Sequence, residues 1–242
     1  MFGGDGTVHE VVNGIAGREG VELAVVPRGT GWDFARTHAI PKRLNDALRI
    51  ARDGEARALD LGYATYRAGN GDETAWFANA GSVGMSGAVA AKANRTTKAL
   101  GGKASYLIAL AAVFARWKNV HLEVRVDDEA RTGPMEDVIV ALGRYVAGGM
   151  MVTPDAEPDD GLFDVLFVKD ASKPEVLRQL PKIYRGKHIP HPKAEVLRGR
   201  TVEVAAAEPL PVQLDGEQPG TTPVRFAIVP DAVRLRVRRE AG

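Results

Sequence analysis

Apolar and polar positions change their rhythm near Arg57. Before it, helical spacing alternates with short apolar runs. Thr7–Ile15 predicts a helix. Leu23–Val26 is a brief apolar run stopped by Pro27 and predicts a buried strand. Asp33–Thr37 begins a second helix, and Leu44–Ala51 forms a third with Leu44, Ala47, Leu48 and Ala51 on one face. Such alternation, with turns between, predicts a parallel sheet. Beyond Arg57 extended patterns dominate: Ala58–Tyr66, Ala75–Ala80, Val120–Val126, Val138–Leu142, Leu162–Val168, Thr201–Val204, Val224–Val229 and Val233–Val237. Ser86–Ala93, Ser105–Trp117 and Lys173–Tyr184 read as helices among them, and Arg67–Thr74 as a polar turn. The expected fold class is an α/β domain with a parallel sheet over 1–57, with 233–242 a candidate addition. A larger, β-rich, mainly antiparallel domain follows over 58–232.

The first helix is entered through Gly3-Gly4-Asp5-Gly6-Thr7. Glycines let a backbone approach an anion closely, and the following helix offers unpaired N–H groups and its dipole. Asp5 would repel phosphate unless a cation lay between, which suggests Mg²⁺. The plainer alternative is a helix cap made by Asp5 or Thr7. A second loop, Pro27-Arg28-Gly29-Thr30-Gly31-Trp32-Asp33, repeats the strand, glycine turn and helix start. Two such loops would lie together at the carboxyl edge of a parallel sheet, where open α/β folds bind ligands. Arg28 could neutralise phosphate and Thr30 donate a hydroxyl; Asp33 is either a cap or a ligand to metal-bound water. Dinucleotide, P-loop, zinc-helix and nucleophile-elbow patterns all fail on single residues, His9 standing where a third glycine is needed.

Composition narrows the classes. Lys+Arg 32 against Asp+Glu 31 leaves a net charge of +1, which argues against a general nucleic-acid binder. With no cysteine there are no disulfides and no thiolate metal sites, which fits a cytoplasmic protein. The most apolar run, Tyr106–Phe114, is too short to span a bilayer, so membrane contact is expected to be peripheral. The acidic stretch Asp155–Leu162 suits a hard cation or a solvated turn. Asp215-Gly216-Glu217 reads as a hairpin turn or as a general base at Glu217. Basic residues between Arg178 and Arg200 make either a solvated face or a patch for anionic lipid.

GGDGTVHEVVNGI, then VVPRGTGWDFAR, FANAGSVGMSG, PDAEPDDGLFDVLFV and VQLDGEQPGTTPVRF, resembles the catalytic domain of the diacylglycerol kinase family, above all the soluble bacterial lipid kinases. GGDGT alone is shared with NAD kinases and phosphofructokinases; the ordered set is far more specific and covers the whole chain. The resemblance implies a nucleotide-binding α/β domain, a β-rich domain and a site in the cleft between them. ATP would lie on the two loops, held by Gly3, Gly4, Asp5, Gly6, Thr7, Val8, His9 and Thr30. Asp5, with Asp33, would organise the catalytic Mg²⁺, and Glu217 would deprotonate the lipid hydroxyl, Asp215 being a weaker candidate. A structural Mg²⁺ would be held by Asp160 and the carbonyls of Glu157 and Leu162. The implied product is a phosphorylated lipid, phosphatidic acid from diacylglycerol, which belongs to phospholipid biosynthesis. The implied place is the cytoplasm, peripheral at the inner membrane surface, with a homodimer left open. An NAD kinase-like enzyme and a non-catalytic nucleotide- or lipid-binding remnant are the alternatives. The pattern departs from its relatives at Trp32 and His9, where Asn is frequent. The strand and βαβ unit expected before Gly3 are missing, so the chain alone is expected to be poorly stable and inactive.

Overall fold

The computed structural model describes residues 1–29, 31–95 and 102–239, with the side chains of 102–106 excepted. The first stretch comprises β1 (Phe2–Gly3), α1 (Asp5–Ile15), β2 (Glu22–Leu23), β3 (Val26–Pro27), α2 (Asp33–Thr37) and α3 (Leu44–Asp53). Next come β4 (Glu55–Ala68), β5 (Gly71–Phe77), β6 (Ala80–Gly84), α4 (Met85–Arg95), α5 (Gly102–Arg116), β7 (Val120–Val126) and β8 (Glu129–Ala141). The chain continues through β9 (Tyr145–Val146), β10 (Met150–Met151), β11 (Phe163–Lys169) and α6 (Lys173–Ile183). It ends with β12 (Ala194–Gly199), β13 (Thr201–Ala206), β14 (Pro211–Leu214) and β15 (Glu217–Val237).

The expected antiparallel β-rich lobe is there, and its strands close on themselves. β8 pairs with β6, β6 with β14, β14 with β15, β15 with β13, β13 with β7, and β7 returns to β8. Two long strands make the corners. The first half of β8 pairs with β7 and its second half with β6 and β11, so it serves both faces. Alternation fills the space inside with Phe77, Phe163, Phe167, Phe226, Val138, Val140 and Leu214, all fully buried. Phe77 meets Phe163 in a stacked arrangement and Phe226 edge-on, each at 5.8 Å between centroids.

The parallel part of the smaller lobe is brief. β1 runs parallel to β3 through Phe2↔Val26 and Gly3↔Pro27, and β2 runs parallel to β15 through Glu22↔Arg234 and Leu23↔Leu235. The predicted strand Leu23–Val26 is therefore two strands, because its ends serve opposite neighbours. A second core gathers Val8, Val12, Leu23, Val26, Phe34 and Ala47 with Leu59, Leu61, Val233 and Leu235. The end of β15 thus packs with the first residues of the chain.

Other expectations need correction. Val224–Val229 and Val233–Val237 are one strand, whose ladder to β4 skips a register between Val229 and Val233. Ala75–Ala80 breaks after Phe77 for a reason given below. Arg67–Thr74 is mostly hairpin ladder, with Ala68↔Gly71 closing a two-residue turn at Gly69-Asn70. β12 and β14 were not legible as strands: AEVLRG and PVQL are short and mixed in polarity, and only their neighbours make them extended. Replacing Phe226 by Ala should cost about 3–5 kcal/mol of unfolding free energy, read from urea denaturation, because the ring is wholly buried against Phe77 and Gly81.

Candidate active site

The two glycine loops touch backbone to backbone. β1 and β3 deliver them side by side, and the Arg28 N–H donates to the Gly3 carbonyl at 2.9 Å. A Cβ added to Gly4 would lie 2.8 Å from the Gly29 Cα, so neither position has room for a side chain. Asp5 crosses from the first loop to the second. Its Oδ2 accepts the Asp33 N–H at 3.2 Å and its Oδ1 accepts the Phe34 N–H at 3.1 Å. Asp5 therefore caps α2 rather than its own helix. Trp32, at the entry to α2, lies in the left-handed region with φ 51° and supplies no capping bond. Its indole instead takes Lys42 Nζ at 4.2 Å and the Arg36 guanidinium at 5.0 Å from the ring centre. With Asp5 doing the capping, Trp32 has no amide role to fill.

The larger lobe answers with Asp215, in the turn between β14 and β15. Its Oδ2 accepts the Ala78 N–H at 2.8 Å; its Oδ1 accepts those of Asn79 at 2.9 Å and Ala80 at 3.0 Å. This capture bends the chain between β5 and β6 and ends the predicted Ala75–Ala80 strand. Asp215 also lies 3.2 Å from His9 Nδ1. One helical turn on, Asn13 exchanges two 2.9 Å bonds with the backbone of Trp76. So α1 is fastened to the second lobe by residues four apart. Asp33 makes another crossing: its Oδ2 accepts the Gly148 N–H at 2.7 Å and its Oδ1 accepts from Arg36 at 3.2 Å.

Between the lobes opens a cavity of about 1090 Å³. At one end stand Gly4, Asp5, Gly6, Gly29, Gly31 and Asp33, facing Asn79, Asp215 and Glu217. At the other, apolar side chains of α4, α5 and α6 line a trough, among them Val89, Leu110, Phe114, Val176 and Ile183. Glu217 is exposed at the mouth, where its Oε2 accepts from Asn94 at 3.1 Å. Burial raises Asp5, with the Asp215 charge adding to it. Burial likewise pushes Asp33 up to about 6, with Asp5 adding to it.

Of the expected nucleotide-binding residues, Gly4, Asp5, Gly6 and Val8 line this cavity. Gly3 lies beneath Thr7, and His9 turns to Asp215. Thr30 lies outside the described residues. The three expected catalytic residues, Glu217, Asp5 and Asp33, share the cavity. The expected structural-metal residues are elsewhere, on the loop before β11. Asp60 holds that loop: its N–H donates to the Pro158 carbonyl at 3.0 Å and its carboxylate accepts the Gly161 N–H at 2.7 Å. Asp160 accepts the Leu162 N–H at 3.0 Å and pairs with Arg198, which also lies 3.6 Å from Asp164. The oxygens have the right chemistry for Mg²⁺, but in this arrangement a guanidinium takes the cation's place, and the residues do not fit a metal ion as they stand.

Two cavity residues escaped the sequence reading. Glu136 and Asp137 are 4% and 6% exposed, yet both face the trough. β8 pairs Asp137 with Val168 and Met135 with Lys169, so Glu136 is the extra residue of a bulge. The bulge puts two consecutive side chains on one face. Burial pushes Glu136 up to about 7 and Asp137 up to about 8. The only signal in the sequence was a pair of acids abutting the apolar run from Val138, which reads as a surface turn.

The diacylglycerol kinase catalytic domain profile matches residues 1–64, and that of the YegS C-terminal NAD kinase beta sandwich-like domain matches 79–237. The diacylglycerol kinase of Staphylococcus carnosus is 29% identical over 227 residues, which are 93% of this chain and 72% of that protein. The Staphylococcus epidermidis enzyme is 29% identical over 225 residues, 93% and 69% respectively. A crystallised candidate diacylglycerol kinase of Bacillus anthracis is similar with a TM-score of 0.73 and 26% identity, covering 98% of this chain and 76% of its own. Yeast NADH kinase shares the fold alone, at a TM-score of 0.52, 8% identity, and 98% and 60% coverage. The chain thus belongs to the family of the YegS C-terminal NAD kinase beta sandwich-like domain over residues 79–237, and its first 64 residues match the diacylglycerol kinase catalytic domain.

Proposed function

We propose that the chain is an ATP-dependent lipid kinase that moves the γ-phosphoryl group onto a lipid hydroxyl, diacylglycerol being the substrate its relatives' names suggest. One observation carries the reading: a single cavity joins paired glycine loops to an apolar trough. A polyanion suits the first and a hydrocarbon chain the second. The backbone amides around Gly4, Gly6 and Gly29 receive the phosphates, since no side chain stands in the way. Asp5, Asp33 and Asp215 crowd negative charge there, and a cation would relieve it. Among the described residues no three acidic or histidine side chains converge as a metal cage. Asp5 or Asp33 would hold a Mg²⁺ together with phosphate oxygens and water, and the cation would supply neutralisation of the transferring group. Glu217 takes the proton as the lipid oxygen bonds to phosphorus and the bond to the β-phosphate oxygen breaks. Asp215 and His9 position the turn that carries it.

Leu107, Ile108, Leu177, Leu180 and Tyr184 stand exposed on α5 and α6, beside the exposed cations Arg178, Lys182 and Arg185. Their mixture suits peripheral contact with an anionic bilayer, whereas Lys193 and Arg198 of the same basic segment pair internally with Glu175 and Asp160. Among the described residues no helix is long and apolar enough to cross a membrane.

Radiolabelled ATP with diacylglycerol in mixed micelles should give labelled lipid. Glu217→Gln should lower turnover by about a hundredfold or more while nucleotide binding persists. Labelling of NAD with none of lipid would overturn the reading. Gly29→Ala drives a methyl group into the Gly4 backbone and should abolish nucleotide binding by calorimetry.

The cavity acids also set a pH dependence. A carboxyl whose folded pKa exceeds its unfolded one holds its proton more tightly when folded, so stability declines as pH climbs toward the folded value. Glu136 and Asp137, at about 7 and about 8, act in this sense. Burial holds His38 down to about 3, with the opposite sign, but its contribution ends near the ordinary histidine value. From about pH 6.5 to about 8 the ligand-free chain should therefore lose stability, and Asp137→Asn should flatten the curve, as urea midpoints would report.

A further inference from the structure

The trough has a length that two elements measure independently. β6 begins at Ala80, whose N–H donates to Asp215 at 3.0 Å, and ends at Gly84, which pairs with Asp137. The four steps from Ala80 to Gly84 cover about 13 Å. α4 gives the second measure. Near its start the Ser86 N–H and hydroxyl bond to Asp137 at 3.1 Å and 2.7 Å, and near its end Asn94 bonds to Glu217 at 3.1 Å. Those eight helical steps cover about 12 Å. Met85, Val89 and Ala90 line the cavity, so the helix runs along it. The turn bearing Glu217 thus stands at one end of this span, and the Glu136–Asp137 pair at the other.

Beyond Glu136 the character of the walls changes. A smaller space of about 230 Å³ shares Phe114, Glu136 and Ala171 with the trough. It is otherwise walled mainly by the polar Lys118, Asn119, Ser172 and Lys173. A hydrocarbon chain has little to gain there.

The two acids differ in what they cost a passing chain. Asp137 is spent inside the protein: it holds Ser86, whose Oγ lies 2.7 Å from Ser82 Oγ, and Ser82 Oγ lies 3.3 Å from Gln213 Oε1. A chain lying over these satisfied groups leaves their bonds in place. Glu136 is 4% exposed, and burial is the one influence on its carboxyl, with no hydrogen bond and no charge set against it among the described residues. A methylene laid on that carboxyl removes its last contact with water and returns nothing. Each carbon before that point buries apolar surface, and the next one meets an uncompensated acid.

We propose that Glu136 is a specificity-determining residue, the stop of a chain-length ruler that favours lipids until the chain spans about 12–13 Å from the reacting hydroxyl at Glu217 and gives no further preference beyond. The proposal rests on the lipid-kinase reading above, and its test is kept separate by measuring binding without ATP. The whole chain is titrated in water with 1-monoacylglycerols of increasing length, each kept monomeric, displacing a fluorescent fatty-acid probe. Affinity should rise about fourfold per added carbon and then level off at the length that covers the span. Glu136→Leu should let the rise continue past that length, while Glu136→Gln, still polar and of the same shape, should keep the break in place. Ile139 lines the trough two strand positions nearer Glu217, so Ile139→Trp should move the break to shorter chains, by up to about 7 Å of length. A steady rise without a break in the unaltered protein would overturn the proposal, as would an unmoved break in Glu136→Leu or in Ile139→Trp. Should Glu136→Leu fail to fold, the unaltered protein and Ile139→Trp decide. Lipid phosphorylation with a steady rise sinks the ruler alone; a break with no phosphorylation of any lipid sinks the kinase reading and not the ruler.

Discussion

The Asp215 carboxylate is the point on which the two lobes turn. Three successive N–H groups, of Ala78, Asn79 and Ala80, converge on it, and His9 approaches from α1. A buried carboxylate with such partners is costly to disturb, because its loss strands several donors at once. The same contact decides three features together: where β5 ends and β6 begins, how α1 sits against the larger lobe, and where the turn bearing Glu217 projects. Asp5 and Asp33 extend the arrangement, one capping α2 from the first glycine loop and the other reaching Gly148 across the cleft. Acids that look catalytic in a string of letters are thus also the structural ties of the site. Asp5 accepts one N–H on each oxygen and keeps a lone pair on each for a second duty, whereas Asp215 has two partners on each oxygen and is a structural tie.

The cavity joins two physically opposed surfaces. Backbone amides and acids at the glycine end are fit for charge and water. The helical end is mostly hydrocarbon, with Glu136, Asp137, Glu175 and Gln179 among its polar lining residues. The β8 bulge produces the first two by turning Glu136 and Asp137 to the same face while Met135 and Val138 keep to the core. A regular strand would have sent one acid into the sandwich, where nothing could have satisfied it.

Much of this was legible from the residue order. The glycine loops, the helix after each and the antiparallel character beyond Arg57 all follow from local rules on turns, caps and period, which need only a few neighbouring residues, whereas the stop expected at Pro27 does not occur, since Pro27 pairs with Gly3 within β3. Glu217, Asp5 and Asp33 could be singled out because their motifs are local too. What failed was each feature settled by distant partners. Leu23–Val26 divides because β15 claims one end and β1 the other. The 217–237 segment stays a single strand because β4 holds it across the irregularity. His9 lies near the glycine loop in sequence but belongs to Asp215, two hundred-odd residues away by the 206-residue separation of the pair.

The sequence by itself determined the elements, the two chemistries of the glycine turns and the carboxylates that could serve them, because these rest on backbone preferences and side-chain types. Only the tertiary structure decided that the two loops touch, that Asp160 faces Arg198, and that Glu136 lies buried beside an apolar trough. Contact, burial and charge pairing depend on groups far apart along the chain, and their energies exist only once the strands have brought them together.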